Sequence, residues 1–174
     1  ETGASNLRRK AAAQRAATDR QQRLAAALKN LEELQEQKEK RKKGSGDEAR
    51  CSMTDPEARN LKMADGGFRP AFNVQFATDG DSRIIVAFDV TNNGSDGGQM
   101  APMHEHVVDS YGKAPEIYTV DGGFSTNDDI TKVEKGGSKV AAPMTHEDRI
   151  LKRDGDPHER RKGDSDEMAA FRDR

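Results

Sequence analysis

The first third of the chain carries one long helical pattern. Residues 6–43 contain neither Pro nor Gly and are rich in Ala, Leu, Glu, Gln, Lys and Arg, the composition of a long helix. Leu24, Leu28, Leu31 and Leu34 recur at spacings of four, three and three, with Ala13, Ala16, Ala17 and Ala27 as small neighbours. This makes a narrow apolar stripe suited to an antiparallel or coiled-coil partner, a second copy of the chain included. Lys38-Glu39-Lys40-Arg41-Lys42-Lys43 then leads into Gly44-Ser45-Gly46, where cations favour the helix dipole and glycine stops the helix. That basic run reads as a solvated helix end, with a salt-sensitive phosphate contact as the functional alternative.

After a connector from Gly44 to Pro70, the period changes to two. Ala71-Phe72-Asn73-Val74-Gln75-Phe76-Ala77 alternates as a half-buried strand, and Asp79-Gly80-Asp81 makes a hairpin turn. The next strand, from Arg83 to Val90, is nearly continuous in apolar residues, which predicts burial on both faces. Thr91 to Gly98 is a loop. Met100, Met103, Val107 and Tyr111 mark a helix, and a strand over 116–120 ends in Asp121-Gly122-Gly123. A helix near 126–135 follows, opened by a hydroxyl or amide cap and by acids in its first turn. Gly136-Gly137 stops it, residues 138–142 form a short strand, and 143–166 read as a polar surface loop before a last helix from Asp166. Strands alternating with helices after a hairpin predict a mixed sheet covered by helices.

Composition narrows the class. The 174 residues are 32% hydrophobic and 34% charged, with mean hydropathy −1.00 and no Trp, so the core is modest and confined to part of the chain. No apolar run reaches the roughly 20 residues of a membrane helix. Single Cys51 excludes an internal disulfide framework and suits a reducing, cytoplasmic compartment. It sits in a linker without a base nearby, against a nucleophilic role. No signal peptide is visible and the chain begins with Glu, so an internal piece of a longer protein is expected. Residues 1–50 carry a net +5 and residues 51–174 a net −7. The basic part could approach a polyanion, and the acidic part could collect cations.

The candidate chemistry centres on Asp121. An aspartate at the carboxyl end of a strand, with glycine clearing space beside it, is where open α/β sheets place ligands and ions. A capped strand-to-helix turn with a solvated Asp gives the same local pattern. His104-Glu105-His106 invites a metal reading, yet side chains two apart on a helix lie about 200° apart and do not share an ion. His146 and His158 lack partners at ligand spacing, and Gly122-Gly123 is not followed by the Gly-Lys-Ser/Thr of a phosphate loop. The methionines Met63, Met100, Met103 and Met144 read as gap fillers of core or edge.

An ordered series of motifs resembles the DDE transposases of bacterial insertion sequences, nearest to the branch numbered eleven-eighty-two. It runs Thr54-Asp55-Pro56-Glu57-Ala58-Arg59, then Gly66-Gly67-Phe68-Arg69-Pro70-Ala71-Phe72-Asn73-Val74-Gln75. Asp89-Val90-Thr91-Asn92, Ser95-Asp96 and Val120-Asp121-Gly122-Gly123-Phe124 complete it. The likeness extends from about Ala4 to the C-terminus. It implies an α/β chain: a partial RNase H-like mixed sheet with flanking helices, preceded by a long helical insertion. The corresponding division is a basic helical insertion over 1–46, a linker over 47–67, the central part of the catalytic domain over 68–142, and a polar loop with a further helix start over 143–174.

The resemblance also implies DNA transposition and recombination by metal-dependent cleavage and strand transfer at transposon ends, with two Mg²⁺ ions held by an acidic triad. Asp121 matches the second acid of that triad and is the one catalytic and metal-binding residue carried over. The other two acids have no counterpart here; Asp89 is read as structural and Glu167 as a surface residue. The expectation is therefore a transposase piece, inactive in isolation, that would need Mg²⁺ and DNA in the intact enzyme. The alternative is a non-enzymatic basic helical protein that binds nucleic acid or self-associates.

Overall fold

The computed structural model describes residues 2–144 and 147–174. Helix α1 runs Thr2–Arg41 and a 3₁₀ turn follows at Gly46–Glu48; strands are β1 (Arg59–Lys62), β2 (Phe68–Ala71), β3 (Asn73–Thr78), β4 (Ile85–Thr91), β5 (Ile117–Thr119) and β6 (Lys139–Ala141). The remaining helices are α2 (Met100–Tyr111), α3 (Asn127–Lys135), α4 (Glu147–Leu151) and α5 (Asp166–Arg172). The chain divides into two compact units, one of residues 1–73 and 91–94, the other of 74–90 and 95–174.

In the first unit, α1 ends where glycine permits. Gly44 takes φ +81°, and the Glu39 carboxylate accepts the Gly44 amide at 2.8 Å and the Gly46 amide at 3.1 Å. These amides hold the Glu39 carboxyl below the usual carboxylate range, Gly44 foremost. The Ser45 hydroxyl donates to the carbonyls of Lys38 (2.9 Å) and Lys42 (2.7 Å), satisfying helix-end acceptors. Lys38 reaches back to the Glu48 carbonyl at 3.0 Å, so part of the basic run is spent on closing the helix end. Asn30 donates to the Pro56 carbonyl at 2.8 Å, and Ala27, Ala49 and Ala58 are buried.

The connector is more ordered than its turn signals suggested. It contains the antiparallel pair β1–β2, with Arg59 opposite Ala71 and Lys62 opposite Phe68. Gly66, at φ +82°, makes the turn between them. Polar Arg59-Asn60-Leu61-Lys62 hid this strand because only alternate residues are half-buried. Pro70 is tolerated in β2 because the strand pairs on one side.

The second unit holds the main core. Ile130 and Val133 of α3 are fully buried with Met100, Val140, Met144, Met168 and Phe171, each such side chain contributing about 1.5–3 kcal/mol relative to exposure. Strands β5 and β6 pair in parallel, with Tyr118 opposite Val140, and the Val120 amide extends the ladder to the Ala141 carbonyl at 3.0 Å. Helix α2 ends at Gly112 in the left-handed conformation, its amide on the Val108 carbonyl at 2.7 Å. A buried ion pair, Arg172 with Asp164 at 2.7 Å, fastens α5 to the preceding loop, and Arg172 also donates to the Pro157 carbonyl at 2.9 Å. The polar segment expected as loop includes the single helical turns of α4.

Two expectations change. The strand 83–90 was expected to be buried on both faces, but β4 exposes Ile85 (55%), Phe88 (62%) and Val90 (51%). Ala87 is buried with Met103 and Val107 of α2, and half-buried Val86 and Ala77 pack against that cluster. The single mixed sheet expected is not seen among the described residues, where β3–β4 and β5–β6 are separate two-stranded sheets. Between them lies a cavity of about 810 Å³, lined by every residue from Gln75 to Gly80 and from Ile117 to Asp121. Successive residues of a strand face opposite sides, so a cavity touching all of them meets the strand edges.

Candidate active site

Asp121 follows β5 directly, at the rim of that cavity. Its Oδ1 accepts the Gly123 amide at 2.8 Å, a turn closed by the side chain itself. Its carbonyl accepts from the Phe124 amide at 3.2 Å and the buried Ser125 hydroxyl at 3.3 Å. The turn is thus fixed from three sides while the carboxylate stays exposed.

Gly123 leaves room beside two carboxylates. A Cβ there would stand 3.0 Å from Asp121 Oδ1 and 3.3 Å from Asp96 Oδ2. The two carboxylates therefore approach one point, on the surface that Gly123 leaves open. Asp96 is half-buried in the loop before α2, with Gln75 Nε2 of β3 at 3.5 Å from its Oδ1 and the Gln99 amide on its carbonyl at 3.1 Å. Sequence reasoning placed Ser95-Asp96 in the motif series without a chemical role. The missed signal was long-range, an aspartate just before one helix and another at the end of a strand 25 residues later.

A third carboxylate, Asp129 of α3, has a structural occupation. Buried to 2% exposure, it accepts the Gly98 amide (2.7 Å), the Ala101 amide (3.3 Å) and the Thr126 hydroxyl (2.7 Å). Helix α2 has no side-chain cap of its own, so Asp129 supplies one from α3. Thr126 caps α3 in turn by accepting the Asp129 amide at 3.1 Å, the hydroxyl cap foreseen for this helix.

The other singled-out residues lie elsewhere. His104 is buried, its Nε2 2.7 Å from Ser138 Oγ, and stands edge-on to Tyr118 at 5.4 Å. Since the Ser138 hydroxyl donates to the Pro115 carbonyl at 2.6 Å, His104 Nε2 carries the proton of their shared bond. His106 is exposed on the same helix. His158 Nδ1 contacts the Arg172 carbonyl at 3.0 Å, and His146 lies outside the described residues. Asp89 is exposed and accepts the adjacent Val90 amide at 2.8 Å, whereas Glu167 stands at the start of α5, 4.0 Å from Lys135. Cys51 is half-exposed near the Ser52 and Pro56 carbonyls.

The donor set at Gly123 consists of hard carboxylate oxygens on an open rim. That suits a divalent cation such as Mg²⁺, which takes one or two carboxylates and leaves other positions to water and phosphate. Among the described residues no cluster of three or more His, Cys, Asp or Glu has the spacing of a metal cage. No described helix is long and apolar enough to cross a membrane.

No curated protein and no solved structure matches the chain. A family model described as the transposase DDE domain matches residues 34–169, well over half of the sequence and including both Asp96 and Asp121. The chain belongs to the DDE-domain transposases, a family of DNA transposition that acts on DNA and depends on divalent metal.

Proposed function

We propose that this chain is the central part of the catalytic core of a DDE transposase of bacterial insertion sequences, of the branch numbered eleven-eighty-two. The underlying fold is RNase H-like, with β3–β4 and β5–β6 as pieces of one sheet. Asp121 is the middle acid of the triad. The observation that carries the reading is the position of Asp121: at the carboxyl end of a strand in a parallel pair, held by Gly123 and Ser125, with Asp96 beside it.

Asp121 and Asp96 would hold the cation, and Gln75 would orient Asp96 toward it. Bound Mg²⁺ would supply polarisation of the scissile phosphate at transposon ends and charge neutralisation of the attacking oxygen. The protein's own part is to fix two carboxylates on a turn that does not reorganise. In this reading the cavity between the edges of β3 and β5 is the seat of a further strand of the sheet, and such a strand would bring a further acid beside Asp121. The isolated chain is therefore inactive, and the working enzyme is cytoplasmic.

Metal titration tests the site. Mn²⁺ should broaden the backbone amides of 95–97 and 120–124, and Asp121→Asn should abolish this; unchanged broadening in the variant would sink the assignment. Nicking or joining of transposon-end DNA by the isolated chain with Mg²⁺, lost in Asp121→Ala, would overturn the proposed inactivity.

A further inference from the structure

We propose that residues 8–29 of α1 form an arm that lies along the phosphate backbone of duplex DNA. The proposal adds a contact surface to the transposase reading and takes DNA as partner from it. Seven cations fall in this stretch, Arg8, Arg9, Lys10, Arg15, Arg20, Arg23 and Lys29, against the single acid Asp19. Every residue from 4 to 26 is exposed.

These cations differ from those farther along the same helix. Lys38 pairs with Glu48 at 3.9 Å and Lys40 with Glu36 at 3.7 Å. Among the described residues no ion pair involves a cation between 8 and 29. Four acids, Glu32, Glu33, Glu36 and Glu39, are interleaved in the second part of the helix, whereas the first is nearly free of them. Most of these cations, Arg8 to Arg23, thus stand on the exposed stretch 4–26, whereas the ion pairs of α1 lie nearer its end.

The arrangement is one-sided. At about 100° per residue, Arg8, Arg9, Arg15, Arg20, Arg23 and Lys29 fall within one half of the circumference. Leu7, Leu24 and Leu28, all exposed, fall on the other half. From Arg8 to Lys29 the axis rises about 32 Å. That is close to one turn of B-DNA, about 34 Å, whose major groove of about 12 Å admits a helix. DNA presents a phosphate charge about every 1.7 Å along its axis, so a rigid row of guanidinium groups meets complementary charge along its whole length. Such contacts position the protein and carry no sequence information. The leucine half leaves a second copy of the chain as the competing occupant, which the experiment separates.

The test is fluorescence anisotropy of the full chain with a labelled duplex of arbitrary sequence, titrated with salt in EDTA. Chelation makes the outcome independent of metal at Asp121. Six phosphate contacts give a slope of log K against log salt near −5. Replacing Arg8, Arg9, Arg15, Arg20, Arg23 and Lys29 by Gln should flatten that slope by about 5, with helicity retained because Gln is a good helix former. The all-Lys replacement should keep the slope, and Asp19→Asn should tighten binding. An unchanged slope in the Gln variant overturns the proposal. So does loss of DNA binding in Leu24→Ser with Leu28→Ser alongside unimpaired binding by the Gln variant, which would assign the helix to self-association.

Discussion

The carboxylate of Asp129 accepts the amide of Gly98 at 2.7 Å, tying the first turn of α3 to the entry of α2 across 31 residues of sequence. The bond does two jobs. It satisfies orphan amides at the α2 N-terminus and fixes the loop that carries Asp96. Asp129→Ala should remove both the helix cap and the charge-assisted bonds, lowering stability by about 2 kcal/mol. Thr126→Ala, which removes the reciprocal cap, should cost about 1 kcal/mol. Because the two residues touch, the double variant should lose less than the sum. Urea denaturation of the three variants checks this, and full additivity would contradict the shared network.

His104 predicts a pH dependence. Burial, partly opposed by the nearby Glu105 charge, pushes its pKa below the ordinary 6.5. The folded state therefore binds fewer protons here than the unfolded state, and stability falls with falling pH. The contribution is intact above about 6.5 and declines as the pH drops through that value toward the lower folded pKa. Its hydrogen bond to Ser138 uses the neutral Nε2–H form, so a second proton would enter a packed site. Denaturation midpoints at pH 7.5 and 5.5 should differ in the native chain and converge in His104→Asn. The carboxylates with lowered pKa, Glu39 and Asp79 among them, act at lower pH.

Gly123→Ala separates stability from metal binding. The added methyl would stand against both Asp121 Oδ1 and Asp96 Oδ2, but Gly123 does not occupy the left-handed backbone region. Stability should change by no more than about 0.5 kcal/mol, as for an exposed turn. Mn²⁺-induced broadening at 95–97 and 120–124 should be reduced, because the two carboxylates can no longer approach the same point. Broadening equal to that of the native chain would remove Gly123 from the site.

Local sequence determined much of this protein. The Pro- and Gly-free run fixed α1, and the spacing of Met100, Met103 and Val107 fixed α2 and its buried face. The strand around Val74 and Phe76, the cap at Thr126 and the strand before Asp121 were legible for the same reason: each depends on a period or on neighbours a few residues away. Which face of that first strand is buried was not legible, since Val74 and Phe76 are exposed and Gln75 is buried. Composition could not decide what each face meets. Phe88 and Val90 have the apolar character of a core strand, yet they are exposed, while only the start and middle of β4 (Val86 and Ala87) pack on the α2 cluster. Polar Arg59–Lys62 pairs with β2 because backbone groups, rather than side-chain hydropathy, make that ladder. The proposed site divides in the same way. Sequence marked Asp121 through its strand end and its glycines. Only the tertiary structure set Asp96 beside it and assigned Asp129 to a helix end, because the meeting of groups 25–31 residues apart is decided by packing.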